Sequence, residues 1–383
     1  MPQLAEKLIC TGCTACASVC PKGCIAMTAD ADGFRYPVID EAACVGCGLC
    51  AKVCPVLSDR KPDHMPRAYA AFSADTQMRL ESSSGGVFTE LARYILAQKG
   101  AVFGAVYAED FRVVHACAED EAALAQMRGA KYAQSDLDGI FADVKTRLDR
   151  GQQVLFSGTP CQVGGLAAFL GRSYENLIAV DFVCHSVPSP LAWAEYVRSL
   201  GEVHSVNLRA KDRGWSRYGY CHRVETAEGV RLIPNGESLH MKLFVGGYTT
   251  RPSCADCHFK GYARGSDLTI GDFWGIWDSH PDMDDDRGTS VVLVQSERGR
   301  RIWEAVASRL TVLEVSAEEA SRQNPAMLVS AKPAADRDAV LARIRSGGIA
   351  GCAELFRQKP PSLARRIRSK VRRILGHILG KHS

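Results

Sequence analysis

The 383-residue chain has no run of 18 apolar residues, so the sequence contains no candidate for a membrane-crossing helix. Its opening, Pro2 to Glu6, lacks the basic start and apolar stretch of a secretory signal. Low-complexity sequence is absent. So is a strong charge bias: 47 Lys and Arg stand against 43 Asp and Glu, a net charge of +4. The small surplus is unevenly placed. Lys359, Arg365, Arg366, Arg368, Lys370, Arg372, Arg373 and Lys381 fall in residues 359–383 with no acid among them. Taking those eight from +4 leaves −4 on the rest, a mildly acidic body with a basic tail. The overall charge is therefore no argument for nucleic-acid binding by the body. A composition of 46% hydrophobic and 23% charged residues is ordinary for a globular protein and permits a sizeable core.

Cysteine is what the chain has in plenty, with sixteen. Cys10, Cys13, Cys16 and Cys20 precede Pro21, and Cys44, Cys47, Cys50 and Cys54 precede Pro55. Each run reads C-x2-C-x2-C-x3-C-P, which resembles the spacing of bacterial two-cluster ferredoxins. Three thiolates at i, i+3 and i+6 wrap one face of a cubane, and the fourth points to the other cube. The expected sets are Cys10, Cys13, Cys16 and Cys54 for one [4Fe–4S] cluster, and Cys44, Cys47, Cys50 and Cys20 for the other. Zinc sites usually show two C-x2-C pairs rather than a repeated close quartet. Disulfides cannot form among thiols packed this tightly in all eight places. Cys24 falls outside the pattern and reads as a small packing residue. The spacing points to a reducing cytoplasm.

Residues 1–57 thus form a ferredoxin module, followed by a polar linker over 58–66. Beyond it the texture alternates. Strands are expected at Ala68–Phe72, Ala101–Tyr107, Gln153–Phe156, Leu177–Val183 and Thr289–Val294. Helices are expected at Val87–Gln98, Asp136–Leu148, Gln162–Leu170, Pro190–Leu200 and Glu297–Arg309. Strands and turns fill His204 to Pro234. The fold class is therefore α+β to α/β: a bacterial-ferredoxin-like module, a mixed-sheet α/β domain, and a basic amphipathic tail over 355–383.

A second cysteine set follows. Cys161 and Cys184 each come directly after an expected strand, and Cys254 and Cys257 form a C-x2-C pair. Strand ends in one sheet lie together, and ligands gather at that edge. A third [4Fe–4S] cluster, a four-thiolate zinc site and a redox disulfide all fit. Cys117, Cys221 and Cys352 are isolated and read as small hydrophobes. Ser83, Ser84, Gly85 and Gly86 precede a helix, either as a phosphate site or as a plain N-cap. Lys131 can neutralise phosphate and Tyr132 can stack on a ring. Ser157, Gly158 and Thr159 suit the edge of a bound ring. Gly271 to Gly275 either wall such a ring or pack the core. Asp282, Asp284, Asp285 and Asp286 read as a solvated turn, and His185 as a proton donor or a structural histidine.

Taken together, Ser83-Ser-Gly-Gly-Val-Phe88, Gly129-Ala-Lys-Tyr132, Ser157-Gly-Thr-Pro-Cys-Gln162, Asp181-Phe-Val-Cys-His185, Arg251-Pro-Ser-Cys-Ala-Asp-Cys257 and Thr269-Ile-Gly-Asp-Phe-Trp-Gly275 resemble the coenzyme F420 hydrogenase/dehydrogenase beta-subunit family, in its form with a fused N-terminal ferredoxin. The resemblance divides the body into N-terminal (67–150) and C-terminal (151–350) beta-subunit regions. It implies FAD, held in part by the Ser83–Gly86 stretch, beside a third cluster on Cys161, Cys184, Cys254 and Cys257. Ser186 stands where related bacterial sequences tend to have glycine. The implied activity is that of an iron–sulfur flavoprotein oxidoreductase. It would couple a ferredoxin- or deazaflavin-type carrier, or a redox partner protein, to an unidentified substrate. A non-catalytic electron-transfer subunit is the alternative. No nucleic-acid partner is expected. Leu363, Ile367, Val371, Ile374, Leu375, Ile378 and Leu379 line one helical face of the basic tail, which predicts peripheral contact with the inner face of the cytoplasmic membrane.

Overall fold

The computed structural model describes residues 2–58, 64–216 and 219–356. Most of the basic tail, and the middle of the 58–66 linker, lie outside the described residues. In the N-terminal module, β1 (Ile25–Ala29) and β2 (Arg35–Ile39) form an antiparallel hairpin. Two short helices, Ala15–Val19 and Leu49–Lys52, carry the middle of each cysteine run.

The body is built on one mixed sheet. Its strands are β3 (Arg67–Ser73), β4 (Ala101–Tyr107), β5 (Val113–Ala118), β6 (Val154–Gly158) and β7 (Leu177–Phe182). A second sheet follows in the chain, with β8 (Val203–Ala210), β9 (Cys221–Thr226) and β10 (Gly229–Pro234). The main sheet then resumes with β11 (Leu268–Asp272), β12 (Ser290–Val294) and β13 (Leu310–Val315). Its order is β13-β3-β12-β11-β7-β6-β4-β5. The central strands β4, β6, β7 and β11 run parallel, and the flanking pairs are antiparallel. Strands from 67–150 and from 151–350 therefore share one sheet.

Burial follows from this arrangement. A central parallel strand has both faces covered, so it reads as a continuous apolar run. In β6, Val154 and Phe156 face one way and Leu155 the other. Leu155 packs with Leu91 and Ile95 of the helix Val87–Ala97 and with Trp303 of the helix Glu297–Val306. Val154 and Phe156 pack with Phe141 of the helix Ile140–Asp149 and Leu166 of the helix Pro160–Leu170. Cys13 and Ala15 of the N-terminal module join that second layer, so the module is seated on the helix that follows β6.

The module is fastened at several points. The Ser189 hydroxyl donates to the Asp32 carbonyl at 2.6 Å, and Arg345 pairs with the Asp32 carboxylate. Arg35 pairs with Asp136 and, at 2.8 Å, with Asp138. Gly165 makes the closest approach: a Cβ there would lie 2.8 Å from Cβ of Cys13 and 2.9 Å from its sulfur. Only glycine lets the cysteine loop lie against the helix at this point.

Among the described residues no helix is long and apolar enough to cross a membrane.

Candidate redox centres and cofactor site

The N-terminal module has two cysteine-lined cavities. One is lined by Cys10, Cys13, Cys16 and Cys54, with Leu4, Ala5 and Thr11. The other is lined by Cys20, Cys44, Cys47 and Cys50, with Pro2, Ile25 and Ile39. The hairpin brings together the crossed sets that the spacing predicts. Cys24 also lines the second cavity, with its sulfur 3.3 Å from that of Cys20. Burial pushes the Cys16 thiol up to about 12, and the neighbouring Cys10 and Cys54 add to this. Burial drives Cys13 higher still, and Cys161 and Cys16 contribute. A thiol that burial keeps protonated becomes a thiolate when a metal takes its proton's place.

The third set gathers at the carboxyl edge of the parallel strands. Pro160 opens the helix after β6 at a position where its missing N–H costs nothing. Thr159 caps this helix in a reciprocal pairing with Gln162, and its hydroxyl lies 3.1 Å from the Cys161 sulfur. Cys184 follows β7, and its thiol is raised by burial and further by Cys254, Cys161 and Cys257. Burial raises Cys161 to about 12 and Cys254 to about 11. The Cys257 N–H is held by the Ser330 hydroxyl at 2.9 Å. Lys260 reaches across and donates to the Cys184 carbonyl at 2.5 Å and the Ala326 carbonyl at 2.6 Å. Among the described residues no group of three or more His, Cys, Asp or Glu is arranged to hold a single metal ion. The chemistry of all three donor sets, four soft thiols each, suits [4Fe–4S] clusters, whose sulfur ligands stand farther apart than those around one ion.

A polar region adjoins this edge. Gly85 packs where a Cβ would meet the Ala71 carbonyl at 2.3 Å. Its N–H donates to the Ser290 hydroxyl at 2.9 Å and its carbonyl accepts from Ser73 at 2.7 Å. Gly86, at φ 86°, caps the helix Val87–Ala97. The glycine pair thus has a packing role. The Ser83 carbonyl accepts from Arg209 at 3.3 Å, and the Ser84 carbonyl from Lys211 at 2.6 Å. Arg209 is buried, pairs with Asp272 at 2.9 Å and lies 4.0 Å from the centre of the Tyr220 ring. Among the described residues Lys131 donates to the Met127, Arg128 and Gly129 carbonyls, at 2.9–3.3 Å. Burial lowers Lys131 to about 7. Burial, with Arg209, lowers Lys211 to about 7. Tyr132 is enclosed, and its phenol is raised by burial.

The sequence resemblance implies FAD, an anionic cofactor with a polar ring edge. The buried Tyr107 hydroxyl and Arg209 Nε have no hydrogen-bond partner among the described residues. Two lysines have their hydrogen bonds made by neutral carbonyls. Such a set fits an anionic cofactor with a polar ring edge. Ser157 places its carbonyl 2.8 Å from His115 Nε2, and Gly158 ends β6 beside Asp181.

Other sequence candidates settle differently. The acid cluster is more than a solvated turn: Asp285 grips buried Arg79 through two bonds, at 2.9 and 2.6 Å. Asp286 accepts from the N–H groups of Trp215 and Ser216, each at 2.9 Å. Phe273 is buried, and Trp274 stacks on Trp215 at 5.3 Å, so this motif packs a core. His185 meets Phe244 edge-on at 5.4 Å, and burial with Lys260 favours its neutral form. Cys221 and Cys352 are buried, while Cys117 is partly buried. The sequence does not single out Arg209, Lys211 or Lys260, and it shows Arg251 only as the first residue of the motif that holds Cys254 and Cys257. The alternation Arg209-Ala210-Lys211 at the end of a half-buried strand is the available signal for the first two.

Three family models match the chain. A 4Fe–4S dicluster domain covers residues 9–57. The N-terminal model of the coenzyme F420 hydrogenase/dehydrogenase beta subunit covers 68–141, and the C-terminal model of that subunit covers 151–320. Among solved structures, a chain is similar from the F420-reducing [NiFe] hydrogenase complex of Methanosarcina barkeri, studied by xenon derivatization. It is 19% identical, with 78% of this chain and 95% of that chain covered and a TM-score of 0.46. No curated protein matches.

Proposed function

The chain belongs to the coenzyme F420 hydrogenase/dehydrogenase beta-subunit family and carries an N-terminal 4Fe–4S dicluster domain, and from that premise we propose a cytoplasmic iron–sulfur flavoprotein oxidoreductase with three clusters in file. Its units are the ferredoxin module at 1–57, the linker at 58–66, the two beta-subunit regions at 67–150 and 151–350, and the tail. Bound FAD would exchange two electrons with an organic partner, and [4Fe–4S] clusters would carry them singly.

The placement of the cysteine sets supports an order. Cys47 is exposed, so the set Cys20, Cys44, Cys47 and Cys50 faces a soluble one-electron carrier. Cys10, Cys13, Cys16 and Cys54 lie inward of it. The observation that carries the reading is the seating of Cys13 against Gly165, one helical turn from Cys161. This supports Cys161, Cys184, Cys254 and Cys257 as the next station. Ser83, Ser84, Lys131, Tyr132, Arg209, Lys211 and the Ser157–Thr159 loop would hold the flavin, with the cations facing its phosphates. The organic partner, a deazaflavin or another hydride carrier, would meet the open flavin face.

Anaerobic purification with iron, sulfide and flavin quantification, followed by a screen of one-electron and hydride donors, tests the reading. About twelve irons and one flavin per chain are expected. Flavin that neither copurifies nor rebinds would remove the flavoprotein half and leave an electron-transfer subunit. The basic tail supports an added contact with anionic membrane.

A further inference from the structure

Arg251 is 1% exposed and stands three residues before Cys254, yet its side chain turns to the N-terminal module. Its Nε donates to the Cys10 carbonyl at 2.9 Å and Nη2 to the Arg35 carbonyl at 3.0 Å. Nη1 donates to the Gln134 side-chain oxygen at 2.8 Å. Gln134 in turn donates to the Thr11 carbonyl at 2.9 Å. The guanidinium also lies 4.4 Å from the centre of the Tyr36 ring and 5.3 Å from that of Phe34. At Gly12, φ 68°, a Cβ would press on both terminal guanidinium nitrogens at 3.0 Å. The first cysteine loop is thus clamped to the segment that supplies Cys254 and Cys257.

The partners of this cation are all neutral. Among the described residues no carboxylate forms an ion pair with Arg251. A buried charge without a counter-charge is costly, and arginine cannot shed its proton to escape that cost. The missing negative charge has a source in the neighbouring donor sets. Its hydrogen bond to Cys10 ties it to one set. Its place three residues before Cys254, on the segment that also carries Cys257, ties it to the other. A cubane held by four thiolates is an anion, and adding an electron makes it more so.

We propose that Arg251 is a positioning and redox-tuning residue, whose buried positive charge is the shared counter-ion of the inner module cluster and the third cluster. The inference rests on the three-cluster reading above. The charge stabilises the electron-rich state of both clusters and holds their spacing, while its hydrogen bonds go to Cys10, Arg35 and Gln134 and not to the outer set that includes Cys47. Removing it makes both inner clusters harder to reduce.

The test is an anaerobic redox titration followed by electron paramagnetic resonance on the full chain, with Arg251→Gln and Arg251→Lys beside the unmodified protein. Arg251→Gln should shift the reduction equilibrium of both inner clusters about tenfold toward the oxidised form, or about 59 mV for a one-electron couple. The outer cluster is the internal control and should not move. Arg251→Lys keeps the charge and should hold both inner potentials close to the original. If Arg251→Gln loses iron and Arg251→Lys retains it, the counter-charge role is also supported. Unchanged potentials in Arg251→Gln, equal shifts in both variants, or equal iron loss in both would overturn the proposal. An unmodified chain holding only eight irons would instead defeat the third-cluster reading, and the inner module cluster would still report on Arg251.

Discussion

The outer cavity of the N-terminal module and the cysteine set at the sheet edge have the same donors in opposite surroundings. At the outer cavity Cys47 is exposed, and Val45, at 61% exposure, forms part of an open rim. At the sheet edge all four cysteines are partly buried, burial raises the thiols of Cys161, Cys184 and Cys254, and Lys260 donates to the Cys184 carbonyl. An exposed anionic centre is stabilised by water, whereas an enclosed one needs fixed charges and dipoles. On the proposed reading, the outer set would exchange electrons with soluble carriers and the inner one would deliver them toward the polar region around Lys131 and Arg209.

The sharpest way to break the comparison is to remove one end of the file. In Cys161→Ser, a one-electron donor should still reduce the module, while flavin reduction through it stops. Stopped-flow absorbance separates the two. Flavin reduction that continues at the original rate would show that the sheet-edge set is not on the route.

A smaller effect is expected at the joint. Gly165→Leu drives a side chain into Cys13 and should cost about 1–3 kcal/mol of stability, the usual range for overpacking. Chemical denaturation monitored by cluster absorbance measures it. A variant as stable as the original would mean that the module is not seated there.

The polar region supplies a pH test. Lys131 and Lys211 are lowered from 10.5 to about 7 in the folded chain. Between those limits the unfolded chain binds more protons, so stability of the flavin-free protein should rise with pH above 7. The burial penalty of the two charges is present in full below that. Affinity for an anionic cofactor should run the other way and weaken as pH climbs through 7. Fluorescence titration of FAD from pH 6 to 9 checks the sign, and Lys131→Met should flatten the curve.

The smallest effect concerns the tail, where each cation near an anionic leaflet contributes about 1 kcal/mol. The full chain should float with anionic and not with neutral liposomes, and a chain ending at Arg357 should float with neither. Equal flotation of both chains would end the membrane reading.

What was legible in the sequence follows from how local each feature is. The module's quartets are short-range patterns, and the crossed sets need only one hairpin to meet. Buried strands such as Val154–Gly158 and Ser290–Val294 announced themselves as apolar runs. Val113–Ala118 and Leu310–Val315 did not, because edge strands are only partly buried and mix polar with apolar residues. Leu268–Asp272 was read only as part of a motif. Its insertion between β7 and β12 depends on pairing with partners far away in the chain. The same holds for Arg251: nothing near it in sequence announces that its partner is the Cys10 carbonyl, 241 positions away.

The central claim is that the chain houses three four-thiolate centres rather than two. Iron and sulfide are to be counted in anaerobically reconstituted protein, beside a Cys254→Ala/Cys257→Ala variant. The account predicts about twelve irons per chain, about four of them lost in the variant, with the module's spectroscopic signals unchanged. Equal iron in the two proteins would contradict it.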